Sequence, residues 1–143
     1  MSFVKVWIHA VWRTKNSSKI LTKDVRKVLF QHIKQNAREK GIFIDSLDGY
    51  TDHVHSLYNL NADMTIAKSL QLIKGEASFW ANEHSIVKPK LVWADEYYAV
   101  SVSESIVPKV RKYIQNQEEH HKTMTFQEEY EEFIKKFTLK AQG

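Results

Sequence analysis

The first pattern along the chain is an alternation of apolar and polar side chains over residues 3–13, FVKVWIHAVWR, which predicts a β-strand. One face of this strand is apolar throughout and carries Val4, Val6, Ile8, Ala10 and Trp12. From about residue 22 to 40 the pattern changes to helical spacing, with apolar positions at Val25, Leu29, Ile33 and Ala37. Gly41 follows, and a glycine is the residue at which helices commonly end. The sequence therefore begins with a strand and an amphipathic helix.

Two further strands and a second helix are predicted downstream. The segments 42–50, IFIDSLDGY, and 53–60, HVHSLYNL, lie close enough in sequence to pair as an antiparallel hairpin. After them, Asp63 or Thr65 can cap a helix. The apolar stripe of that helix consists of Ile66, Leu70, Ile73, Ala77 and Trp80.

The last third of the chain predicts a fourth strand over EYYAVSVS and two trailing helices. Ser103 or Ser105 can cap a helix that runs to about residue 119, and an acidic amphipathic helix is expected over about 126–138. The apolar residues of that last helix are Phe126, Tyr130, Phe133, Ile134 and Phe137. The order βαββαβ with trailing helices predicts an α+β ferredoxin-like sandwich with an antiparallel sheet, as one domain over 1–143.

Composition agrees with a globular, soluble and cytoplasmic protein. The 143 residues are 43% apolar and 27% charged, and they include no cysteine, so disulfides and thiolate metal sites are excluded. No run is long and apolar enough for a signal peptide or a membrane span. Residues 1–40 carry ten Lys and Arg against two acidic residues, while the whole chain has a net charge of only +4. This basic third either attracts phosphates or is a solvated helix face.

Candidate chemistry begins with His53 and His55, which are one residue apart in a predicted strand and so point to the same side. Such a pair is either half of a metal site or a chance recurrence, and a metal would need a third protein ligand. Tyr113 and Gln117 are four residues apart on a predicted helix, so they lie on one side of it. Either they face the imidazoles or the tyrosine simply packs at the helix edge. His120 and His121 are expected to be an exposed pair and not ligands.

Five motifs in the same order resemble one protein family over about residues 3–120. They are HAVWRTKN, DHVHSL, LIKGEAS, VWADEYYAVSVS and VRKYIQNQ. Together they resemble the single-tyrosine transposases of the HUH superfamily, in the IS200-like insertion-sequence and REP-associated branches. These enzymes mobilise small bacterial insertion sequences as single-stranded DNA.

The resemblance implies a site and a reaction. His53 and His55 match the family's metal-binding pair, Gln117 its third ligand and Tyr113 its nucleophile, with Mg²⁺ or Mn²⁺ as the cofactor. The implied reaction cleaves and rejoins single-stranded DNA with hairpin ends through a 5′-phosphotyrosine. The implied assembly is a homodimer in which active sites are shared between protomers.

Two other interpretations and several secondary expectations remain at this stage. A replication-initiator-type nickase has the same chemistry, although such enzymes typically have a third histidine and longer chains. A domesticated binder of hairpin DNA would bind without cleaving. The candidate DNA contacts are Arg13, Lys15 and Lys74, for which surface solvation is the rival interpretation. Trp93, Tyr97 and Tyr98 are expected to pack in the core or in a dimer.

Overall fold

The computed structural model describes residues 3–132 and 135, and its core is a four-stranded antiparallel sheet. The strands are β1 (Trp7–Thr14), β2 (Ile44–Gly49), β3 (His53–Asn59) and β4 (Trp93–Val102). The helices are α1 (Lys23–Glu39), α2 (Ile66–Glu83), α3 (Val107–Gln115), the short α4 (Gln117–His120) and α5 (residues 126–132). The predicted α+β ferredoxin-like order is confirmed.

The sheet order is β2-β3-β1-β4, so β1 and β3 are the two central strands. Their register is antiparallel and places Val11 opposite His55 and Arg13 opposite His53. Residues that alternate along these strands therefore fall on two separate faces. One face meets α1 and α2, and the other meets α3 and the C-terminal segment.

The main core lies between the sheet and the pair α1–α2. It includes Ile8, Ala10 and Trp12, three members of the predicted apolar face of β1, all at most 2% exposed. Each helix begins at a threonine cap: the hydroxyl of Thr22 accepts from the amide of Val25, and Thr65 caps α2 in the same way. A smaller cluster of Trp7, Leu57, Val107 and Ile114 packs α3 on the opposite face.

The structure corrects several predicted boundaries. The first strand begins at Trp7 and not at residue 3, and Val4 and Val6 are 51% and 39% exposed, since the sheet gives them no covering layer. The fourth strand is longer than predicted and begins at Trp93, where its ring packs edge-on against Trp12. Trp93 is thus a core residue, as expected.

The predicted helix up to residue 119 is interrupted. Ser103 precedes a short 3-10 turn, α3 ends at Gln115, and Asn116 separates it from α4. Of the predicted acidic helix over 126–138, residues 126–132 are helical and the remainder, including Phe133, lies outside the described residues except for 135. Across that described part, the helices are too short or too polar to cross a membrane.

Candidate active site

Strand β3 places His53 and His55 on the same face of the sheet, and neither side chain is exposed to solvent. The Nδ1 atom of each ring has a partner behind it. His53 Nδ1 lies 2.8 Å from Asp52 Oδ1, and His55 Nδ1 lies 3.0 Å from Nε2 of the buried His9 on β1. Both Nε2 atoms therefore point forward into the space beneath α3 and α5.

Helix α3 carries Tyr113 to this space because two contacts hold the helix on the sheet. Ile114, the next residue, is fully buried in the smaller core. Arg111 reaches back to Asp45 on β2 with two hydrogen bonds of 2.8 and 2.9 Å. Tyr113 consequently packs edge-on against the His55 ring, with 5.7 Å between the ring centroids.

The carboxylate of Glu129, on α5, lies between the tyrosine and the histidine pair. Its Oε1 atom is 3.0 Å from His55 Nε2 and 3.4 Å from His53 Nε2. Its Oε2 atom accepts a hydrogen bond from the Tyr113 hydroxyl and lies 3.1 Å from His120 Nε2. One carboxylate thus separates the phenol from both imidazoles.

Gln117 also reaches the site, although the helix breaks at Asn116 between α3 and α4. Its Oε1 atom lies 3.2 Å from His53 Nε2 and 3.1 Å from His121 Nε2, and the residue is fully buried. The structure therefore brings together the four residues singled out as ligands and nucleophile in the sequence, within a single chain.

The expectation that His120 and His121 form an exposed pair is wrong. The chain turns back after α4, and α5 then covers both rings, so that the side chain of His121 is only 1% exposed and that of His120 is 25% exposed. His120 Nε2 lies 3.2 Å from the Tyr113 hydroxyl. Both histidines belong to the site.

The electrostatics of the site reflect burial and the charge of Glu129. Burial, followed by that charge, raises the pKa of Tyr113. Burial alone would raise the pKa of Glu129, but hydrogen bonds with the histidines around it outweigh burial and hold that pKa below its usual value. Burial lowers the pKa of His55 to about 4 and that of His9 to about 3, so both rings are neutral at pH 7.

His53 shifts in the opposite direction. Burial works to lower its pKa, but hydrogen bonds to Asp52 and Glu129 outweigh this effect, and the net pKa is raised. Its two ring nitrogens therefore favour a positive charge held between two carboxylates.

The donor set fits a divalent cation. One ligand atom each from His53, His55 and Glu129 lie within 4.8 Å of one another, and all three residues are buried. The Asp52 carboxylate behind His53 is of the kind that metal-bound histidines use to fix ring orientation. The His9 imidazole lies in the corresponding position behind His55. His53, His55 and Glu129, with Gln117, could hold the ion.

The three basic residues predicted to contact DNA differ in their surroundings. Arg13 is paired with Glu96 at 2.7 Å, and Lys15 is exposed at the end of β1. Lys74 is partly buried on α2, where its Nζ donates to the Ala94 carbonyl at 3.0 Å. Arg13 lines an open cavity of about 280 Å³ beside α5, and Lys74 lines a different cavity of about 320 Å³.

The fold and the site define a class: a ferredoxin-like α+β protein with a histidine pair on a central strand and a tyrosine on the helix that crosses it. Comparison with known proteins gives the family. The family model described as "Transposase IS200 like" matches residues 2–117. The chain therefore belongs to the IS200-like transposase family.

Named relatives agree with this membership. The chain is 24% identical over 117 residues to the ISDra2 transposase TnpA of Deinococcus radiodurans, a match that covers 76% of this chain and 81% of the relative. A crystal structure of a protein from Deinococcus radiodurans R1 assigned as a transposase is 25% identical, with a TM-score of 0.62, covering 81% of this chain and 93% of the other.

A further structure, of the REP-associated tyrosine transposase bound to a REP hairpin, shares the fold at 16% identity. Its TM-score is 0.57, and the match covers 81% of this chain and 68% of that one.

Proposed function

We propose that this transposase cleaves and rejoins single-stranded DNA at insertion-sequence ends through a 5′-phosphotyrosine formed on Tyr113. In this proposal a divalent metal ion, Mg²⁺ or Mn²⁺, is held by His53, His55 and Gln117. When bound, the ion would neutralise charge on a phosphate and orient the scissile bond.

The observation that carries the proposal is the shared contact with Glu129. The phenol hydroxyl of Tyr113 binds one oxygen of this carboxylate, and the Nε2 atoms of His53 and His55 face the other. A phosphodiester is also an anion that presents two oxygens. The gap between the nucleophile and the ligand set therefore accepts an anionic group with two oxygens, as binding of a phosphate would require.

The reaction assigns a role to each atom around that gap. The Tyr113 oxygen forms a bond to phosphorus while the bond from phosphorus to the 3′ oxygen breaks, and the departing 3′ oxygen takes up a proton to become a free 3′-hydroxyl. The phenol needs a proton acceptor, because burial raises its pKa. We propose that His120 takes this proton and returns it to the departing 3′ oxygen, because its Nε2 atom lies 3.2 Å from the hydroxyl. A 3′-hydroxyl from another strand end can later attack the tyrosyl phosphate and restore a DNA linkage.

Hairpin-ended single-stranded DNA is the proposed substrate. Support comes from the relative of the same fold that is bound to a REP hairpin, and from the cavity of about 280 Å³ beside α5. Tyr97, Tyr98 and Tyr130 line this cavity with Arg13 at one side, and such rings can stack on unpaired bases. A homodimer is part of the proposal, although Tyr113 meets the histidine pair of its own chain.

The proposal is tested by covalent capture. The protein is incubated with single-stranded hairpin DNA from the sequence flanking its gene and with Mn²⁺, and then resolved on a denaturing gel. We expect a shifted protein–DNA band that is absent for Tyr113→Phe. Tyr98→Phe, which removes a nearby phenol hydroxyl, should keep the band. We also expect His120→Gln to slow band formation by about 10²–10⁴-fold, the usual contribution of a general base.

Binding of the hairpin with no covalent band on any flanking end would contradict strand transfer and favour a non-catalytic binder. A band that persists in Tyr113→Phe would mean that another residue is the nucleophile.

A further inference from the structure

A third imidazole faces the same carboxylate oxygen as the strand pair. Oε1 of Glu129 lies 3.0 Å from His55 Nε2, 3.4 Å from His53 Nε2 and 3.3 Å from His121 Nε2. His121 lies on the turn after α4, and its side chain is as deeply buried as the other two. Nothing in the sequence motifs gives it a role.

The hydrogen bond behind His121 fixes which of its nitrogens carries the lone pair. Its Nδ1 lies 2.7 Å from the main-chain carbonyl of Met124. A carbonyl can only accept, so Nδ1 carries the hydrogen and the neutral ring presents a lone pair at Nε2. A backbone carbonyl behind the far nitrogen is a usual arrangement for a histidine that binds a metal.

The ring is also held in this orientation by its neighbours. Tyr50 stacks on His121 with 5.2 Å between centroids and 21° between planes, and His53 meets it edge-on at 4.5 Å. A side chain fixed on both sides loses little freedom when it binds a ligand.

When both rings are neutral, the Nε2 atoms of His53 and His121 face the Glu129 and Gln117 oxygens, and all of these atoms are acceptors. Because Asp52 accepts from His53 Nδ1, the Nε2 of a neutral His53 is also a lone pair. His53 and His121 both point at Gln117 Oε1, at 3.2 and 3.1 Å, as well as at the Glu129 oxygen. Nitrogen and oxygen atoms that face one another in this way form a donor set suited to one bound cation.

We propose that His121 is a further ligand of the metal centre, so that three imidazoles and the Gln117 oxygen face the ion. This inference rests on the proposed function, since it concerns the same metal site. Imidazole donors favour transition-metal ions, whereas Mg²⁺ prefers oxygen ligands and water. The site therefore selects Mn²⁺ over Mg²⁺. The rival structural role for His121 is a protonated ring paired with Glu129.

Metal binding to the whole, metal-stripped chain tests the inference without DNA. Mn²⁺ affinity is measured from the electron paramagnetic resonance signal of free Mn²⁺, and selectivity from displacement by Mg²⁺. We expect His121→Gln to weaken Mn²⁺ binding at least about tenfold, because even the loss of a residue behind a ligand has that effect. The preference over Mg²⁺ should shrink. The positive control is His53→Gln, and the matched control is His84→Gln, an exposed histidine after α2.

The outcomes separate this inference from the proposed function. If His53→Gln weakens Mn²⁺ binding while His121→Gln leaves affinity and selectivity unchanged, His121 is not a ligand and the two-histidine centre stands. If neither variant alters Mn²⁺ binding, both the centre and the further ligand are refuted.

A measurement on the unmutated chain covers the case in which His121→Gln does not fold. With ¹⁵N-labelled histidine, addition of the diamagnetic ion Zn²⁺ should shift three Nε2 resonances, those of His53, His55 and His121. A shift of the first two alone would overturn the inference.

Discussion

Substitution of Glu129 by Gln removes one negative charge from the centre of the site with almost no change in shape. Glu129 hydrogen-bonds the Tyr113 hydroxyl, which invites a role as the base that takes the phenolic proton. The pKa shifts of the two groups argue against this role, because the pKa of Tyr113 is raised and the pKa of Glu129 is lowered. The ordinary values of 10 and about 4.3 already make the transfer uphill by about 8 kcal/mol. We infer instead that the carboxylate occupies the position proposed for the phosphate and blocks it.

The expected gain from Glu129→Gln can be worked from charge repulsion. Two unit charges about 4 Å apart interact by about 4 kcal/mol at an effective dielectric constant of 20. That energy corresponds to about 10³-fold in rate or affinity, which sets an upper limit. Part of the repulsion is avoided because α5 must move aside when DNA enters. We therefore expect the covalent Tyr113–DNA product to form about 10- to 10³-fold faster.

The assay is single-turnover formation of the covalent product, followed on denaturing gels at several DNA concentrations. Mn²⁺ must be saturating for each variant, because Glu129 also faces the nitrogens of His53 and His55 that are proposed to bind the metal. Glu128→Gln, on the exposed side of α5, is the matched control and should behave like the unmodified chain. A rate that falls tenfold or more at saturating Mn²⁺ would refute the blocking role and show that the carboxylate takes part in the reaction.

Three further outcomes follow from the contacts around the site. Asp52→Ala should weaken Mn²⁺ binding by about 10–100-fold, because the carboxylate behind His53 orients that ring, and unchanged affinity by calorimetry would contradict this. Ile114→Ala should lower the free energy of unfolding by about 2–5 kcal/mol in urea denaturation, since the side chain is fully buried; a smaller loss would mean that α3 is not firmly packed. Asp45→Asn should lower the melting temperature at pH 7, because hydrogen bonds from Arg111 lower the pKa of Asp45 and the stabilisation exists only while the carboxylate is ionised. The melting temperatures of Asp45→Asn and of the unmodified chain should converge as the pH falls through the lowered pKa of Asp45. A difference in melting temperature that stays constant with pH would contradict this explanation.

Much of the fold follows from patterns that act over short distances. The alternation through Ile8, Ala10 and Trp12 fixes which face of β1 is buried, and Thr22 and Thr65 mark both helix starts. The break at Asn116 was not predicted, since no proline or glycine marks it. Tertiary contacts supply the reason: Ile114 packs on the sheet, while the buried Arg26 on α1 holds Glu118 of α4 at 3.0 Å.

The residues of the site fall into the same two groups: those that a local motif indicates, and those that only tertiary contacts bring in. His53, His55, Tyr113 and Gln117 sit in short motifs at fixed spacing, and the structure brings all four together, as the sequence had suggested. Nothing local distinguishes the other participants. His9 looks like one more residue on a strand face, and its contact with His55 depends on the pairing of β1 with β3.

Glu129 and His121 show that a charged local sequence does not predict exposure where the chain folds back over the sheet. The segment FQEEYEE has two adjacent pairs of carboxylates, as is common on a solvated helix, and Glu128 and Glu131 are indeed exposed. Glu129 is 1% exposed because α5 folds back over the histidine cluster, whose nitrogens balance the charge that burial would otherwise make unstable. The same return buries His121 beside Tyr50. Because Glu129 is buried against these imidazoles, we expect the position of α5 to depend on what else binds to them.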